Sequence, residues 1–261
     1  MKYGFIGCGN MGGAIARALS RKTTDFMITD RSGRAEALAQ DLGCAYGSSQ
    51  EICENASAVF LAVKPQVLKA VLEPLAPVLA EKKPLVISMV SGFTLSALQE
   101  LVGPEVPVLR IMPNTPVAVG DGVIPYCCNE FVAEDRKIEF LRDLSKAGFL
   151  TPLEENLMDA ASALSGCGPA FVYMFIEALA DGAVACGMPR AQAIQFAAAT
   201  VVGSGEMVLA TGQHPGALKD AVCSPGGSTI QGVRVLEDKG FRGAVMNCVA
   251  AAFKKNQKLG K

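Results

Sequence analysis

The chain has 261 residues, of which 50% are hydrophobic and 19% charged, and its net charge is −1. This composition excludes a disordered chain, and the length suits one or two domains. The balanced charge argues against a nucleic-acid-binding protein, which carries a basic excess. The one histidine, His214, excludes a zinc site built on two histidines, and we expect no metal.

The first part of the chain alternates short apolar runs with helical patterns. Strands are predicted at residues 2–6, 26–29, 58–63, 85–89 and 106–112, with weaker ones at 122–128 and 149–151. Helices are predicted at residues 11–20, 34–42 and 134–146. Strands that alternate with helices predict a parallel sheet with crossover helices, so residues 1–152 should form an α/β domain.

After Pro152 the strand signal ends. Helices are predicted at residues 154–164, 169–186, 189–211, 215–222, 229–238 and 241–257. Pro169, Pro189 and Pro215 lie where helices begin, which suits a residue with fixed φ and no N–H. Residues 153–261 are therefore expected to form an all-α domain.

Two long uncharged stretches, residues 160–176 and 191–205, lie in this helical part. Both are shorter than the roughly 20 residues of a transmembrane helix, and the first contains Gly and Pro. A helix that is apolar on every side still needs cover. We expect a second subunit to supply it, so that the protein is a homo-oligomer with interlocked helices and no membrane partner.

Nine cysteines occur without a metal-ligand spacing, and the odd number argues against a disulfide framework. The first residues read as a strand and not as the apolar core of a signal peptide. We expect free thiols and a cytoplasmic protein.

A G-x-G-x-x-G motif, formed by Gly7, Gly9 and Gly12, follows the first strand and opens a helix. Asp30 ends the second strand, at about the distance expected for the acid that binds the ribose. This context predicts a Rossmann-like dinucleotide site, with the phosphates at the helix N-terminus. Its candidate cofactor-binding residues also include Cys8, Asn10 and Met11.

The preferred nicotinamide cofactor is left open by the residues after the second strand. Asp30 favours NADH because its carboxylate binds a free 2′-hydroxyl and repels a 2′-phosphate. Arg31, Ser32 and Arg34 follow in the same turn and suit the 2′-phosphate of NADPH.

Turns after three later strands should lie at the same edge of the sheet, where ligands bind in such folds. They contain the further candidate cofactor-binding residues Val63, Lys64, Pro65, Ser91 and Asn114. We expect them to line a nicotinamide cleft, although each is also interpretable as an ordinary loop.

In the helical part, the segment from Ser224 to Thr229 places two glycines before a helix. Backbone N–H groups and the helix dipole attract an anion there, and without a nearby Lys or Arg a small carboxylate fits better than a phosphate. An ordinary helix N-cap is the alternative. The candidate substrate-binding residues are Ser224, Gly227, Ser228 and Thr229.

No lysine lies between Lys146 and Lys219, so the lysine base of β-hydroxyacid dehydrogenases is missing. A substrate with a C=N bond needs no such base, because its nitrogen takes a proton from water. The residues therefore favour imine reduction. A related ketimine or hydroxy-acid reductase, or a non-catalytic dinucleotide-binding regulator, is the alternative.

Five segments, taken in order, resemble pyrroline-5-carboxylate reductase over essentially the whole chain. They are residues 4–11, 61–65, 112–116, 164–170 and 224–229. The resemblance implies reduction of the cyclic imine pyrroline-5-carboxylate to L-proline with NADPH or NADH, the last step of proline biosynthesis. It also implies an intertwined homodimer in which each site uses both subunits, and larger rings of dimers in the family.

The resemblance further implies roles for particular residues. The Gly-rich turn with Cys8, Asn10 and Met11 would lie on the cofactor. Val63, Lys64 and Ser91 would contact its nicotinamide half, and Ser224, Gly227, Ser228 and Thr229 would hold the substrate carboxylate. Thr229 is the candidate catalytic residue, with its hydroxyl near the ring nitrogen. Departures from the family pattern fall at Asp30, Cys167, Gly212 and Ala221.

Overall fold

The computed structural model describes residues 2–258. One sheet contains the strands β1 Tyr3–Ile6, β2 Phe26–Thr29, β3 Ala45–Tyr46, β4 Ala58–Leu61, β5 Leu85–Ser88, β6 Val108–Ile111, β7 Gly122–Cys128 and β8 Gly148–Pro152. Their order is β3-β2-β1-β4-β5-β6-β7-β8. The first six strands are parallel and in Rossmann order, which confirms the predicted α/β fold.

The helices of the α/β part are α1 Asn10–Ser20, α2 Arg34–Leu42, α3 Ser49–Asn55, α4 Leu68–Leu72, α5 Ala76–Lys82, α6 Leu95–Val102 and α7 Glu134–Asp143. Short 3₁₀ helices lie at Pro65–Val67 and Thr115–Ala118. Helices α3, α5 and α6 were not predicted, because these short helices carry a weak 3.6-residue periodicity. Pro65, which the sequence predicts as the start of a helix, begins the 3₁₀ helix that leads into α4.

The sheet is buried on both faces, as expected of a doubly wound fold. One core cluster joins alternate strand residues such as Phe5 and Phe60 to α1, α2 and α7. The rings of these two phenylalanines stack with centroids 4.3 Å apart. The other cluster joins residues such as Val59 and Val86 to α3 through α6. The packed sheet therefore gives rigid support to the turns at the carboxyl ends of its strands.

The expectation of a wholly parallel sheet is wrong at one place, since β7 runs antiparallel to β6. The short connection through Thr115–Ala118 reverses the chain, and no crossover helix intervenes. β8 then pairs parallel with β7 and ends at Pro152, where the strands were predicted to end.

Beyond β8 the described chain is helical. The predicted helix over residues 154–164 is instead a 3₁₀ helix Glu155–Leu157, a short α8 Met158–Ala161 and a π-helical turn Ser162–Gly166. The remaining helices are α9 Gly168–Ala185, α10 Arg190–Thr211, α11 Pro215–Ala221, α12 Ser228–Asp238 and α13 Phe241–Asn256. These five agree with the sequence prediction to within one or two residues.

Two compact units are present, one comprising residues 2–167 with 252–258 and the other Gly168–Ala251. The second unit has a small core, in which Ala180, Ala193 and Ala197 pack between α9 and α10. Large apolar side chains on these two helices are exposed in the single chain: Tyr173, Met174, Phe196, Val202, Met207 and Leu209.

The argument from length against membrane spans is wrong. The helical run Glu155–Ala185 and the helix Arg190–Thr211 are long and apolar enough, by length and composition, to cross a membrane. The two uncharged stretches, residues 160–176 and 191–205, lie within these longer helical segments. A count of uncharged residues alone does not include the remaining helical residues. About a tenth of each apolar window (11%) is buried within the chain, so both helices need external cover.

Candidate active site

The turn between β1 and α1 is shaped by its glycines. Gly7 has φ +101°, and a Cβ there would lie 2.6 Å from the Ala62 carbonyl oxygen. A Cβ on Gly12 would lie 2.3 Å from the Gly7 carbonyl oxygen. A Cβ on Gly9 would meet no atom within 4 Å. The turn is therefore closed toward the sheet at Gly7 and Gly12 and open outward at Gly9, where a ligand can approach the backbone.

Helix α1 begins with free donors at this turn. Gly9 is its N-cap and makes no side-chain capping bond, and the first turn holds no acidic residue. The N–H groups at Asn10 and Met11 are thus available to an anion, with the helix dipole behind them. The Met11 side chain packs on the first core cluster, which leaves its backbone N–H as the group at the turn.

Cys8 is buried beneath the turn, with 5% of its surface exposed. Burial raises the pKa of its thiol to about 12, and the negative charge of Asp30 adds to the effect. The thiol is therefore neutral at pH 7 and acts as a small apolar side chain, not as a nucleophile.

The turn after β2 contains both the acidic and the basic residues that bear on the choice of cofactor. The Asp30 carboxylate accepts hydrogen bonds from the Ser32 backbone N–H at 3.0 Å and from the Ser32 hydroxyl at 2.9 Å. Arg31 and Arg34 are exposed. Within residues 2–258 neither guanidinium makes a hydrogen bond or an ion pair. An acid for a ribose hydroxyl and two cations for a phosphate therefore occupy one turn.

A cavity of about 580 Å³ lies beside these two turns, between α1 and α2. Its lining includes Cys8, Gly9, Asn10, Arg34 and Leu38. The cavity connects the open backbone at Gly9 with the start of α2.

The carboxyl ends of β1, β4 and β5 lie side by side, since Ile6 pairs with Leu61 and Leu61 with Ser88. The structure thus brings together the Gly-rich turn, the turn after β4 and the turn after β5. The turn after β4 contains Val63, which packs on the second core cluster, exposed Lys64 and Pro65 at the start of a 3₁₀ helix. The turn after β5 contains half-buried Ser91, whose hydroxyl lies 3.9 Å from the Met112 sulfur.

Asn114, a candidate cofactor-binding residue, lies buried in the turn after β6. It is 6% exposed, and both polar atoms of its amide have protein partners. Its Nδ2 donates to the Ser165 carbonyl at 3.0 Å, and its Oδ1 accepts from the Val123 N–H at 2.8 Å. This side chain joins the turn after β6 to the π-helical turn before α9, so a direct side-chain contact with the cofactor is not supported.

The segment before α12 is a tight turn. The Gly227 N–H donates to the Ser224 carbonyl at 3.0 Å, and Gly226 between them has φ +71°. With Pro225 before it, this is the pattern of a type II turn. A Cβ on Gly227 would lie 2.3 Å from the Ser224 hydroxyl oxygen, so a side chain there would force that hydroxyl to rotate away.

Helix α12 then begins at Ser228 with Gly227 as N-cap, without a side-chain capping bond or an acid in its first turn. Ser224, Ser228 and Thr229 are exposed. Hydroxyls and backbone donors are thus available to a carboxylate. These residues lie in the second compact unit, whereas the cofactor turns lie in the first.

His214 is the N-cap of α11, and its Nδ1 accepts the Gly216 N–H at 3.0 Å. The only imidazole of the chain therefore acts as a helix cap. Among the residues that the structure describes, no group of three or more His, Cys, Asp or Glu side chains is placed to hold a metal ion.

The sequence analysis missed a buried charge beside the turn after β5. Arg110 lies within β6, is 3% exposed and pairs with Glu155 at 3.1 Å. A lone arginine inside an apolar strand is a sequence signal for such a pair, because a buried charge needs a partner.

Known proteins match this chain over its whole length. The family model for pyrroline-5-carboxylate reductase dimerisation matches residues 155–259, and a model described as NADP oxidoreductase, coenzyme F420-dependent, matches residues 2–92. The pyrroline-5-carboxylate reductase of Escherichia coli is 43% identical, with 100% of this chain and 98% of that protein covered. The protein of the same name from Synechocystis is 41% identical, with 100% and 99% covered.

The crystal structure of Plasmodium falciparum pyrroline carboxylate reductase with NADP bound superposes with a TM-score of 0.90. It is 35% identical and covers 100% of both chains. The chain therefore belongs to the pyrroline-5-carboxylate reductases, the NAD(P)H-dependent oxidoreductases that reduce pyrroline-5-carboxylate to proline.

Proposed function

We propose that the dinucleotide of this reductase binds across the carboxyl ends of β1, β4 and β5 and that the Ser224–Thr229 segment holds the substrate carboxylate. The observation that carries this proposal is the uncapped start of α1 beside a glycine whose outward side is open. Neither alternative, a hydroxy-acid or related ketimine reductase or a non-catalytic regulator, is favoured by the relatives.

The bound NAD(P)H supplies a hydride to the imine carbon. The protein itself orients the substrate and the cofactor and shields them from solvent. Backbone N–H groups at the start of α12 and the Ser224 and Ser228 hydroxyls fix the carboxylate, and Thr229 places its hydroxyl near the ring nitrogen. No lysine or second histidine is needed, because the imine nitrogen is basic enough to take its proton from water.

For the cofactor, we propose that Gly7 to Gly12 cradle the pyrophosphate and that Asp30, Arg31 and Ser32 contact the adenosine ribose. Val63, Lys64, Pro65 and Ser91 lie on the nicotinamide side. The one change from the sequence-based assignment concerns Asn114, which we now propose to act through the turn it holds. Both NADPH and NADH remain compatible, since an acid and two free guanidinium groups share one turn.

Residues 1–152 are proposed as the dinucleotide-binding domain and residues 153–261 as the domain for substrate binding and dimerisation. The last strand ends at Pro152, and the match to the dimerisation family begins at residue 155. The match supports a homo-oligomer.

We propose that a second copy of the chain, and not a lipid bilayer, covers α9 and α10, and that each site uses both subunits. We further propose that the dimers assemble into larger rings. We also propose that the protein has no nucleic-acid partner and is cytoplasmic. All nine cysteines lie in the described residues and are free thiols, which supports a reducing compartment.

The proposed function is tested by measuring the change in nicotinamide absorbance when the protein is mixed with pyrroline-5-carboxylate and either NADPH or NADH. Thr229→Val keeps the side-chain shape and removes the hydroxyl. We expect kcat to fall about 10- to 100-fold, which corresponds to about 1.4–2.7 kcal/mol of lost transition-state stabilisation, while the oligomer stays intact. Ser145→Ala, which removes an exposed hydroxyl bonded to the Arg142 carbonyl after α7, is the control. Unchanged kinetics in Thr229→Val would remove the assigned role of Thr229.

A further inference from the structure

Arg110 places a charge inside the sheet. Its position in β6 pairs with Ser88 of β5 on one side and Cys127 of β7 on the other. Only 4% of its side chain is exposed. Burying a guanidinium is costly unless a counter-charge and hydrogen bonds compensate, so its partners define a fixed arrangement.

Glu155 is the nearer partner. Its Oε1 lies 3.1 Å from Nη1 of Arg110, and Asp159 lies 3.9 Å from Nη2. The same Glu155 oxygen accepts the backbone N–H of Leu95, at 2.6 Å. One carboxylate oxygen therefore joins the middle of β6 to the first residue of α6. All of these residues lie in the first compact unit.

The segment that this contact anchors is the turn after β5. It runs from Ser88 to Leu95 and contains Ser91 and Gly92, the latter with φ +81°. At its start the Val90 N–H donates to the Ser88 hydroxyl at 3.3 Å. At its middle the Ser91 hydroxyl makes a long contact with the Met112 sulfur, and Phe93 packs on the second core cluster. At its far end the Glu155 carboxylate accepts the Leu95 N–H, a charge-assisted hydrogen bond that fixes the backbone there.

We infer that Glu155 is a positioning residue for the dinucleotide: by accepting the Leu95 N–H while paired to Arg110, it holds the Ser88–Leu95 turn against the nicotinamide half. This inference rests on the proposed cofactor site. Its rival is a merely structural role, in which Glu155 only neutralises Arg110.

Two double variants separate these roles. Arg110→Met with Glu155→Gln, and Arg110→Met with Glu155→Leu, both remove the ion pair between the two residues. Gln keeps a carbonyl oxygen for the Leu95 N–H, whereas Leu has none. We measure the dissociation constant of NADPH by calorimetry, the KM values for NADPH and pyrroline-5-carboxylate, and the thermal midpoint.

We expect NADPH to bind about 3- to 10-fold more weakly to the Leu variant than to the Gln variant, the range for one net hydrogen bond. The KM for NADPH should rise equally, and the KM for pyrroline-5-carboxylate should change less than about twofold. The control is Glu105→Gln, which breaks an exposed ion pair with Lys83 ahead of β5 and β6 and should change neither constant.

Equal NADPH affinities in the two double variants would overturn the inference. If the Leu variant does not fold, Glu155→Asp replaces it, because Asp keeps the charge and shortens the reach to Leu95. Unchanged NADPH affinity in Glu155→Asp would overturn the inference in the same way. Failure of the unmodified enzyme to bind NADPH would instead contradict the proposed cofactor site.

Discussion

Gly12 is confined by the backbone itself. Its missing Cβ would press on the Gly7 carbonyl oxygen at 2.3 Å and on the Ala62 Cβ at 2.8 Å. The neighbouring Gly13 lies in the same helix, where a Cβ would make ordinary contacts at 3.5 Å with Leu38 and at 3.6 Å with Cys8. Two adjacent glycines of one helix thus differ in the side chains they tolerate.

Gly12→Ala is expected to lower stability by about 1–3 kcal/mol, because the added methyl group forces α1 away from β1 and β4. NADPH binding should weaken as the turn at Gly9 moves. Gly13→Ala is the matched control, with a change within about 1 kcal/mol and in the stabilising direction. Urea unfolding and calorimetric titration measure both effects, and equal stability of the two variants would contradict the packing argument.

At the scale of elements, a buried polar cluster joins β1 to the end of α7. The Tyr3 hydroxyl donates to Asp143 at 2.8 Å, and the Lys2 ammonium lies 2.6 Å from the same oxygen. Burial acts to raise the pKa of Asp143, but the hydrogen bonds from Lys2 and Tyr3 outweigh it and hold the pKa below its ordinary value of 3.8. The cluster therefore stabilises the fold while Asp143 is ionised.

Asp143→Asn is expected to destabilise the protein by about 1–3 kcal/mol at pH 7, since charged hydrogen bonds are lost in a buried place. The native pKa is the lower one, so the stabilisation is complete above about pH 4–5 and disappears as the pH falls through the native pKa. The difference in the free energy of unfolding between the wild type and the variant should therefore narrow below pH 4.

Urea unfolding at pH 7, 5, 4 and 3 measures this gap. Glu139→Gln is the control, because Glu139 also pairs with Lys2 but its side chain is 48% exposed, so its loss should have little effect at any of these pH values. A gap that stays constant down to pH 3 would show that Asp143 does not act through its charge.

At the scale of the whole molecule, the second unit cannot cover its own apolar surface. Within α10, a helix of 22 residues, Ala193 and Ala197 are the buried positions. Phe196 and Val202 are 62% and 61% exposed in the single chain. Such a surface is typical of an obligate subunit interface.

Phe196→Glu combined with Val202→Glu is expected to dissociate the oligomer and to abolish activity, because charges are introduced into an apolar interface. Light scattering after gel filtration measures the mass. The matched control is Phe149→Glu, a substitution at a 66% exposed position of β8 in the first unit, which should keep the oligomer. Sedimentation of the wild-type protein with membranes would instead favour a bilayer as the cover of α9 and α10.

Local patterns in the sequence determined much of the protein. The strand–turn–helix around Gly7, Gly9 and Gly12, every strand except the two-residue β3, and the five helices from α9 onward follow from short-range periodicity and glycine chemistry. For the same reason the Gly-rich turn before α1 and the turn before α12 were recognisable, since each is built from consecutive residues.

Other features depend on contacts between residues far apart in sequence. The antiparallel reversal at β7, the two amide contacts of Asn114 and the Arg110–Glu155–Leu95 cluster leave little local signal. Asn114 illustrates the difference: its turn motif was visible, but whether its amide faces a cofactor or the protein depends on Val123 and Ser165. Sequence determined which segments carry the chemistry, and only the tertiary structure decided which of their polar groups are already bonded, because hydrogen bonding of buried groups is settled by packing across the fold.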